Sequence, residues 1–153
     1  SPDSEASKLA LSMVSEDTTD VDALKQIYNY VVNNLTYDYD KAETVETGYL
    51  PDVDETLSTK TGICFDYAAL TTAMLRSCDI PCKLQIGYTG DIKHAWIDVY
   101  IRSKGWVTGA VSFNGDSWSL MDPTFDSSAD SDDTEAIQDY IGNADNYTVQ
   151  FTR

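Results

Sequence analysis

The chain of 153 residues carries 10 Lys and Arg against 26 Asp and Glu, a formal net charge of -16. An acidic surface of this kind repels phosphate backbones, so the composition excludes nucleic-acid partners. No apolar run approaches the roughly 20 residues that a membrane span needs, and with 42% apolar residues the chain is long enough to fold as one domain around its own core.

Helical spacing of apolar residues marks two helices near the start of the chain. The first falls between Ala6 and Val14, and the second follows a cap at Thr19 or Asp20. We therefore predict an N-terminal segment with a short helix over residues 1–19 and one domain over residues 20–153. The segment from Thr36 to Pro51 holds acidic residues, a glycine and a proline, which predicts a long loop.

A third helix is predicted from Cys64 to Arg76, after the break at Thr61-Gly62. Cys64 falls at or near its first turn, and Pro81 prevents the helix from continuing.

The hydrophobic period then changes to two, which predicts strands. Four strands are predicted in this part of the chain. The first begins at Lys83, and the others run from His94 to Ile101, from Trp106 to Phe113 and from Trp118 to Met121. An Asn114-Gly115 turn joins the last two. An acidic stretch with a short helix over residues 126–139 and a final strand over residues 146–152 complete the chain. Helices followed by adjacent strands predict an α+β fold with an antiparallel sheet.

Three residues stand in an order that suits thiol chemistry. A helix N-terminus and a nearby imidazolium both lower the pKa of a thiol, and Cys64 is placed to have the first of these. His94, the single histidine, would supply the second. Asp122, at the end of a following strand, can orient the imidazole if the two strands pair.

Each residue taken singly is more often structural, since a buried cysteine is usually an inert core residue and a strand histidine usually a packing one. Their order along the chain favours the catalytic interpretation.

Three segments resemble motifs of the bacterial transglutaminase-like superfamily. These are the cysteine motif at residues 59–68, the histidine strand at residues 94–100 and the aspartate motif at residues 118–125. The resemblance covers roughly residues 20 to 126 and implies a papain-like core, in which a Cys-bearing helix packs on an antiparallel sheet. It also implies a triad of Cys64, His94 and Asp122 that attacks an amide or ester carbonyl.

The resemblance implies a thioester on Cys64, and the acceptor then decides between hydrolysis by water and crosslinking by an amine. The backbone N–H of Cys64 is the default oxyanion donor. Tyr37, Tyr67 and Trp96 could line the cleft, although packing roles suit them better. No cofactor is implied.

Other arrangements of the same residues are less favoured. Cys64, Cys78, Cys82 and His94 lack the paired spacing of a zinc site. Cys78 and Cys82 could form a disulfide, but two buried thiols suit the sequence better. The acidic stretch from Asp126 to Asp139 does not match an EF-hand, since its third and twelfth positions are Ser128 and Ile137.

The sequence thus predicts a thiol enzyme that acts on a peptide or protein amide, with hydrolysis favoured. The rival prediction is a non-catalytic module that binds a peptide or glycan at a cell surface, which the 10 tyrosines and 3 tryptophans would suit. We expect an extracellular or cell-surface location, with any signal or anchor outside this chain. The oligomeric state is left open.

Overall fold

The computed structural model describes residues 3–46, 48–89, 92–121 and 148–152. Its helices are α1 (Glu5–Met13), α2 (Asp20–Asn34), α3 (Tyr39–Thr44), α4 (Val53–Thr59) and α5 (Cys64–Ser77). Its strands are β1 (Thr36–Tyr37), β2 (Thr61–Gly62), β3 (Cys82–Thr89), β4 (Ile92–Ile101), β5 (Gly105–Asn114), β6 (Ser117–Leu120) and β7 (Thr148–Thr152). The predicted α+β class with an antiparallel sheet is confirmed.

The first two helices begin at side-chain caps. Ser4 accepts a hydrogen bond from the backbone N–H of Ser7, and Thr19 accepts one from that of Asp22. Each bond satisfies a donor that the first turn of a helix leaves open. Of the two caps predicted for α2, Thr19 is therefore the one used.

The prediction of a long loop over residues 36–51 is wrong. This segment contains β1 and α3. Strand β1 pairs in parallel with β2, 25 residues further along the chain, so that Thr36 lies opposite Thr61. A two-residue strand is too short to show a hydrophobic period, and its pairing depends on the tertiary fold. Asp38 caps α3, as Asp52 caps α4.

Five strands form one antiparallel sheet in the order β6-β5-β4-β3-β7. The strand that bears His94, β4, lies in the middle, between β3 and β5. Because β5 separates β4 from β6, the strand that leads towards Asp122 does not pair with the histidine strand.

Helix α5 packs between the sheet and the other helices, and it supplies much of the core. Helix α1 joins the same core through Ala6 and Ala10. Along β4, Ala95 and Ile97 point into this core, and alternation puts His94 and Trp96 on the opposite face, as predicted.

Several sequence predictions lie outside the described residues. They are Asp122, the acidic stretch with its short helix and the EF-hand comparison. The final strand is observed as β7, which begins at Thr148. No helix in the described ranges is long and apolar enough to cross a membrane.

Candidate active site

Cys64 is the first residue of α5, as the sequence predicted, and it is buried. The helix start is fixed by Asp66, whose carboxylate accepts the backbone N–H of Ile63 at 2.9 Å. A carboxylate in the first turn also complements the positive end of the helix dipole. The position of Cys64 therefore follows from the short sequence that surrounds it.

Gly62 is required at its position by space. A Cβ atom there would lie 2.5 Å from Cβ of Asp66, which is closer than real side chains approach. Gly62 also pairs with Tyr37 across β1 and β2, and its carbonyl accepts the N–H of Asp38 at 2.9 Å. The glycine lets the chain pass close to the helix start and brings Tyr37 towards the thiol.

The carboxylate of Asp66 is fully buried and holds two further donors. Lys41 Nζ lies 3.0 Å from one oxygen, and the hydroxyl of Tyr49 donates to the other at 2.6 Å. Although burial acts in the opposite direction, hydrogen bonds to Tyr49 and Asp66 raise the pKa of Lys41. Lys41 thus remains charged, and it neutralises a carboxylate two residues from Cys64.

Tyr37 lies beside Cys64. Burial, followed by the charges of Cys64 and Asp116, raises the pKa of Tyr37 to about 12. Its hydroxyl therefore keeps its proton at neutral pH and can donate a hydrogen bond. The neighbouring Tyr39, whose ring centroid lies 5.0 Å from that of Tyr37, donates to Asp116 at 2.8 Å.

These contacts connect the start of α5 to one end of the sheet. Asp116 lies in the turn between β5 and β6, two residues after Asn114. The ring of Tyr67, one turn along α5 from Cys64, lies 5.6 Å from that of Phe113 and 5.3 Å from that of Trp118. Tyr67 is 1% exposed and so acts in packing, whereas Tyr37 is half-buried.

His94 is opposite Asn114 in the antiparallel register of β4 and β5. Its Nδ1 atom is in hydrogen-bond contact with Oδ1 of Asn114. His94 is 5% exposed, so the imidazole is held in a largely dry environment. The structure therefore brings Cys64 and His94 to the same end of the sheet, with an amide next to the imidazole.

The third predicted residue, Asp122, lies outside the described residues, and its role stays a prediction. The described chain reaches Met121, whose N–H donates to Ala110 at 2.8 Å. That pairing is on the far side of β5 from His94.

The other two cysteines have surroundings that differ from those of Cys64. All three are thiols without a disulfide. Sγ of Cys78 lies 3.7 Å from the carbonyl oxygen of Ala10, and Sγ of Cys82 lies at the same distance from that of Thr72. Burial raises the pKa of both thiols. The alternative zinc set is not assembled, since no metal-binding cluster occurs within the described residues.

A cavity of about 640 Å³ lies between α1, α4 and the C-terminal half of α5. Its lining includes Ser7, Asp52, Arg76 and Asp79, and it contains neither a cysteine nor a histidine. Cys64 is at the opposite end of the helix, so this cavity is separate from the candidate site.

Sequence reasoning missed four residues of the site. Asn114 is assigned to a turn from the sequence, because only the register of β4 and β5, which shifts between Ile97 and Val99, places it opposite His94. Asp66 falls within the cysteine motif at residues 59–68 and has no role in the sequence prediction, although an acidic residue at the third position of a helix is a known capping signal. No local signal indicated Lys41 or Tyr49, because both reach Asp66 through tertiary folding.

Comparisons with known proteins agree with the fold. The family model of the transglutaminase-like superfamily matches residues 7–123. A UPF0252 protein of Methanocaldococcus jannaschii is 40% identical over 62 residues, which cover 37% of this chain and 18% of that protein. The uncharacterised protein YebA of Bacillus subtilis is 28% identical over 120 residues, which cover 65% of this chain and 16% of that protein. The chain thus spans less than a fifth of either relative.

Solved structures show the same fold at low sequence identity. A protein from Cytophaga hutchinsonii, provisionally named a cysteine protease, superposes with a TM-score of 0.54 at 22% identity, over 72% of this chain and 36% of that one. A provisionally named protease from Parabacteroides distasonis gives 0.53 at 17% identity, over 78% and 28%. A TGase structure gives 0.50 at 19% identity, over 67% and 28%.

Proposed function

Because this chain belongs to the transglutaminase-like superfamily, we propose that it is a thiol hydrolase or acyltransferase acting on an amide of a peptide or protein. Cys64 is the nucleophile, and His94 is the general base and acid. Asp122 is the residue that the sequence predicts for orienting the imidazole. The observation that carries the proposal is the place of Cys64 at the start of α5, at the end of the sheet that holds His94.

The reaction proceeds in two steps. The thiolate of Cys64 attacks the amide carbonyl carbon, the carbon–nitrogen bond breaks, and the leaving amine takes a proton from His94. This step leaves a thioester. A water molecule then attacks the thioester while His94 accepts its proton, and the carbon–sulfur bond breaks, which releases the acid and restores the Cys64 thiolate beside the protonated His94. An amine in place of water would give crosslinking, and we favour hydrolysis because water is the default acceptor.

Three features of the described residues support this chemistry. The helix dipole favours a thiolate at the start of α5, and Lys41 offsets the negative charge of Asp66 that would oppose it. The backbone N–H of Cys64 can serve as an oxyanion donor, and Tyr37 brings a protonated hydroxyl to the same place. Cys64 and His94 also lie at the same end of the sheet, where the contact between Tyr39 and Asp116 joins the segment before α5 to the turn after β5.

The test is the rate of alkylation of each cysteine by iodoacetamide against pH, located by peptide mass mapping, in the wild type and in His94→Ala. We expect Cys64 to react rapidly well below the free-thiol pKa of about 8.5, and the substitution to remove that reactivity. Cys78 and Cys82 serve as internal controls, since burial raises the pKa of both. A Cys64 no faster than these two would contradict the proposal.

A second assay separates hydrolysis from transfer. Casein is incubated with the protein and a fluorescent primary amine, with Cys64→Ala as the control. Cleavage products without labelled casein would indicate a hydrolase, and labelled casein would indicate an acyltransferase. The chain spans less than a fifth of each relative. This assay therefore tests the chemistry of the chain and not the physiological substrate of the whole protein.

The second candidate is a non-catalytic module that binds a peptide or glycan. Trp106 is 47% exposed, contacts Tyr100 edge-on at a centroid distance of 5.6 Å, and carries Lys83 Nζ 4.4 Å above its ring. An exposed indole of this kind can stack on a sugar or an apolar side chain. Two results together would favour this alternative: Cys64 does not react with iodoacetamide, and a bound peptide or glycan protects the fluorescence of Trp106 from quenching.

A further inference from the structure

We propose that Asn114 is the positioning residue of the site and fixes the tautomer of His94. The inference rests on the proposed function, because it concerns how the imidazole is prepared to act on Cys64. It gives Asn114 the contact with the imidazole that the motif resemblance assigns to Asp122.

The contact itself determines which nitrogen carries the proton. Asn114 Oδ1 is an amide oxygen, which only accepts hydrogen bonds, so the Nδ1–H of His94 must donate to it. In the neutral imidazole the other nitrogen, Nε2, then carries the lone pair. One side-chain contact thus makes Nε2 the nitrogen that can accept a proton from a thiol.

The backbone holds the two side chains together. His94 and Asn114 are directly opposite each other in the β4–β5 register, where Cβ atoms are roughly 4.5–5.5 Å apart. The next pair on this face, Trp96 and Ser112, packs beside them. Two strands in the interior of a sheet fix this separation more firmly than a loop would.

Asn114 is not needed for the hairpin turn. An Asn-Gly pair usually marks a turn in which both residues have positive φ. Here Asn114 is the last residue of β5, and the two-residue loop consists of Gly115 and Asp116. Gly115 has φ of 54°, and Asn114 is not among the described residues with positive φ. The asparagine side chain is therefore available for the histidine.

The amide oxygen also stabilises the charged form that appears during the reaction. When His94 accepts a proton it becomes an imidazolium, and the negative end of the amide dipole then faces its Nδ1–H. Hydrogen bonds to charged groups are stronger than those between neutral groups. Asn114 therefore favours both the correct neutral tautomer and the imidazolium.

The first test is nitrogen NMR of the imidazole, which is unambiguous because the chain has a single histidine. In the wild type, at a pH where the ring is neutral, we expect the Nδ1–H tautomer. The Nε2–H tautomer there would overturn the inference. Asn114→Ala should shift the population towards the Nε2–H tautomer, which is favoured in free imidazole side chains, and Asn114→Asp should keep the Nδ1–H tautomer.

The second test is the alkylation rate of Cys64 in the same variants. Asn114→Ala should slow the reaction about tenfold at neutral pH, the equivalent of one hydrogen bond to a charged group. Asn114→Asp should restore the rate and extend it to higher pH, because a carboxylate holds the imidazolium more strongly. Ser112→Ala, two residues along the same strand, is the matched control and should leave the rate and the tautomer unchanged.

The possible outcomes separate the inference from the proposed function. If His94→Ala leaves Cys64 as reactive as before, the proposed function fails, whatever the tautomer. If His94→Ala slows Cys64 but Asn114→Ala does not, only the role of Asn114 is overturned, and loss of reactivity in Asp122→Asn would then assign that role to the aspartate. Circular dichroism checks that each variant folds. If Asn114→Ala does not fold, the tautomer of the wild type and the behaviour of the isosteric Asn114→Asp still decide whether Asn114 fixes the tautomer of His94.

Discussion

The carboxylate of Asp66 accepts the backbone N–H of Ile63 at 2.9 Å and so fixes the residue that immediately precedes Cys64. The same carboxylate binds Lys41 and Tyr49 from the segment between α2 and α4. One buried acid therefore couples the start of α5 to a distant part of the chain. The rigidity of the candidate nucleophile depends on side chains that have no direct part in the chemistry.

Removing Lys41 should expose the cost of that buried charge. In Lys41→Met the carboxylate of Asp66 loses its compensating charge, and we expect the free energy of unfolding to fall by about 2–3 kcal/mol, since breaking a buried pair costs about 3–5 kcal/mol and Lys41 is partly exposed. Urea unfolding measures the change. Lys8→Met is the matched control, because Lys8 and Glu5 form an exposed pair of the kind worth about 0–1 kcal/mol. Equal losses in the two variants would contradict the importance of the Asp66 cluster.

Gly62 should not tolerate even one added carbon. In Gly62→Ala the new Cβ would lie 2.5 Å from Cβ of Asp66, so the start of α5 must shift. We expect a loss of about 1–3 kcal/mol in unfolding free energy, as for other overpacked sites, together with slower alkylation of Cys64. Thr61→Ala, at the exposed neighbouring position, is the control and should change neither quantity appreciably. Normal Cys64 reactivity in Gly62→Ala would show that the close approach is unimportant.

Two Tyr→Phe substitutions should have different effects on stability. The hydroxyl of Tyr49 donates to Asp66 at 2.6 Å, so its removal leaves a buried carboxylate with one donor fewer. We expect a loss of about 1.5–3 kcal/mol in Tyr49→Phe. The buried hydroxyl of Tyr67 has no hydrogen-bond partner within the described ranges. Tyr67→Phe keeps the ring contacts with Phe113 and Trp118 and should be neutral or slightly stabilising in urea unfolding. A large loss in Tyr67→Phe would reveal a partner for that hydroxyl.

The sequence predicted the parts of the fold that depend on local pattern. A helix cap at Thr19 or Asp20, the helix that begins at Cys64 and the alternation along β4 all follow from neighbouring residues. Each is observed, with Thr19 as the cap. The segment before α4 was misread as a loop because its structure depends on distant partners, such as Asp66 for Lys41. For the same reason, Asn114 was assigned to a turn, since only the register of two strands places it beside His94.

Acid should weaken the contact between α2 and the end of β4. Arg102 donates to Asp20 at 2.7 Å, and its hydrogen bonds lower the pKa of Asp20, although burial of the carboxyl acts in the opposite direction. Because the folded pKa lies below the unfolded value of 3.8, the ionised carboxylate stabilises the fold above that value. The stabilisation is lost as the pH falls through the folded pKa.

Arg102→Ala tests this linkage. The variant should be less stable than the wild type at neutral pH. The two unfolding free energies should converge only as the pH falls below 3.8 and through the lowered pKa of Asp20 in the folded wild type, where the carboxyl becomes protonated in both states. Urea unfolding between pH 7 and pH 2 measures the difference. Lys104→Ala, an exposed substitution in the adjacent turn, is the control and should shift stability by a similar amount at each pH. A difference between the wild type and Arg102→Ala that stays constant with pH would mean that Arg102 acts through packing of its side chain and not through the charge of Asp20.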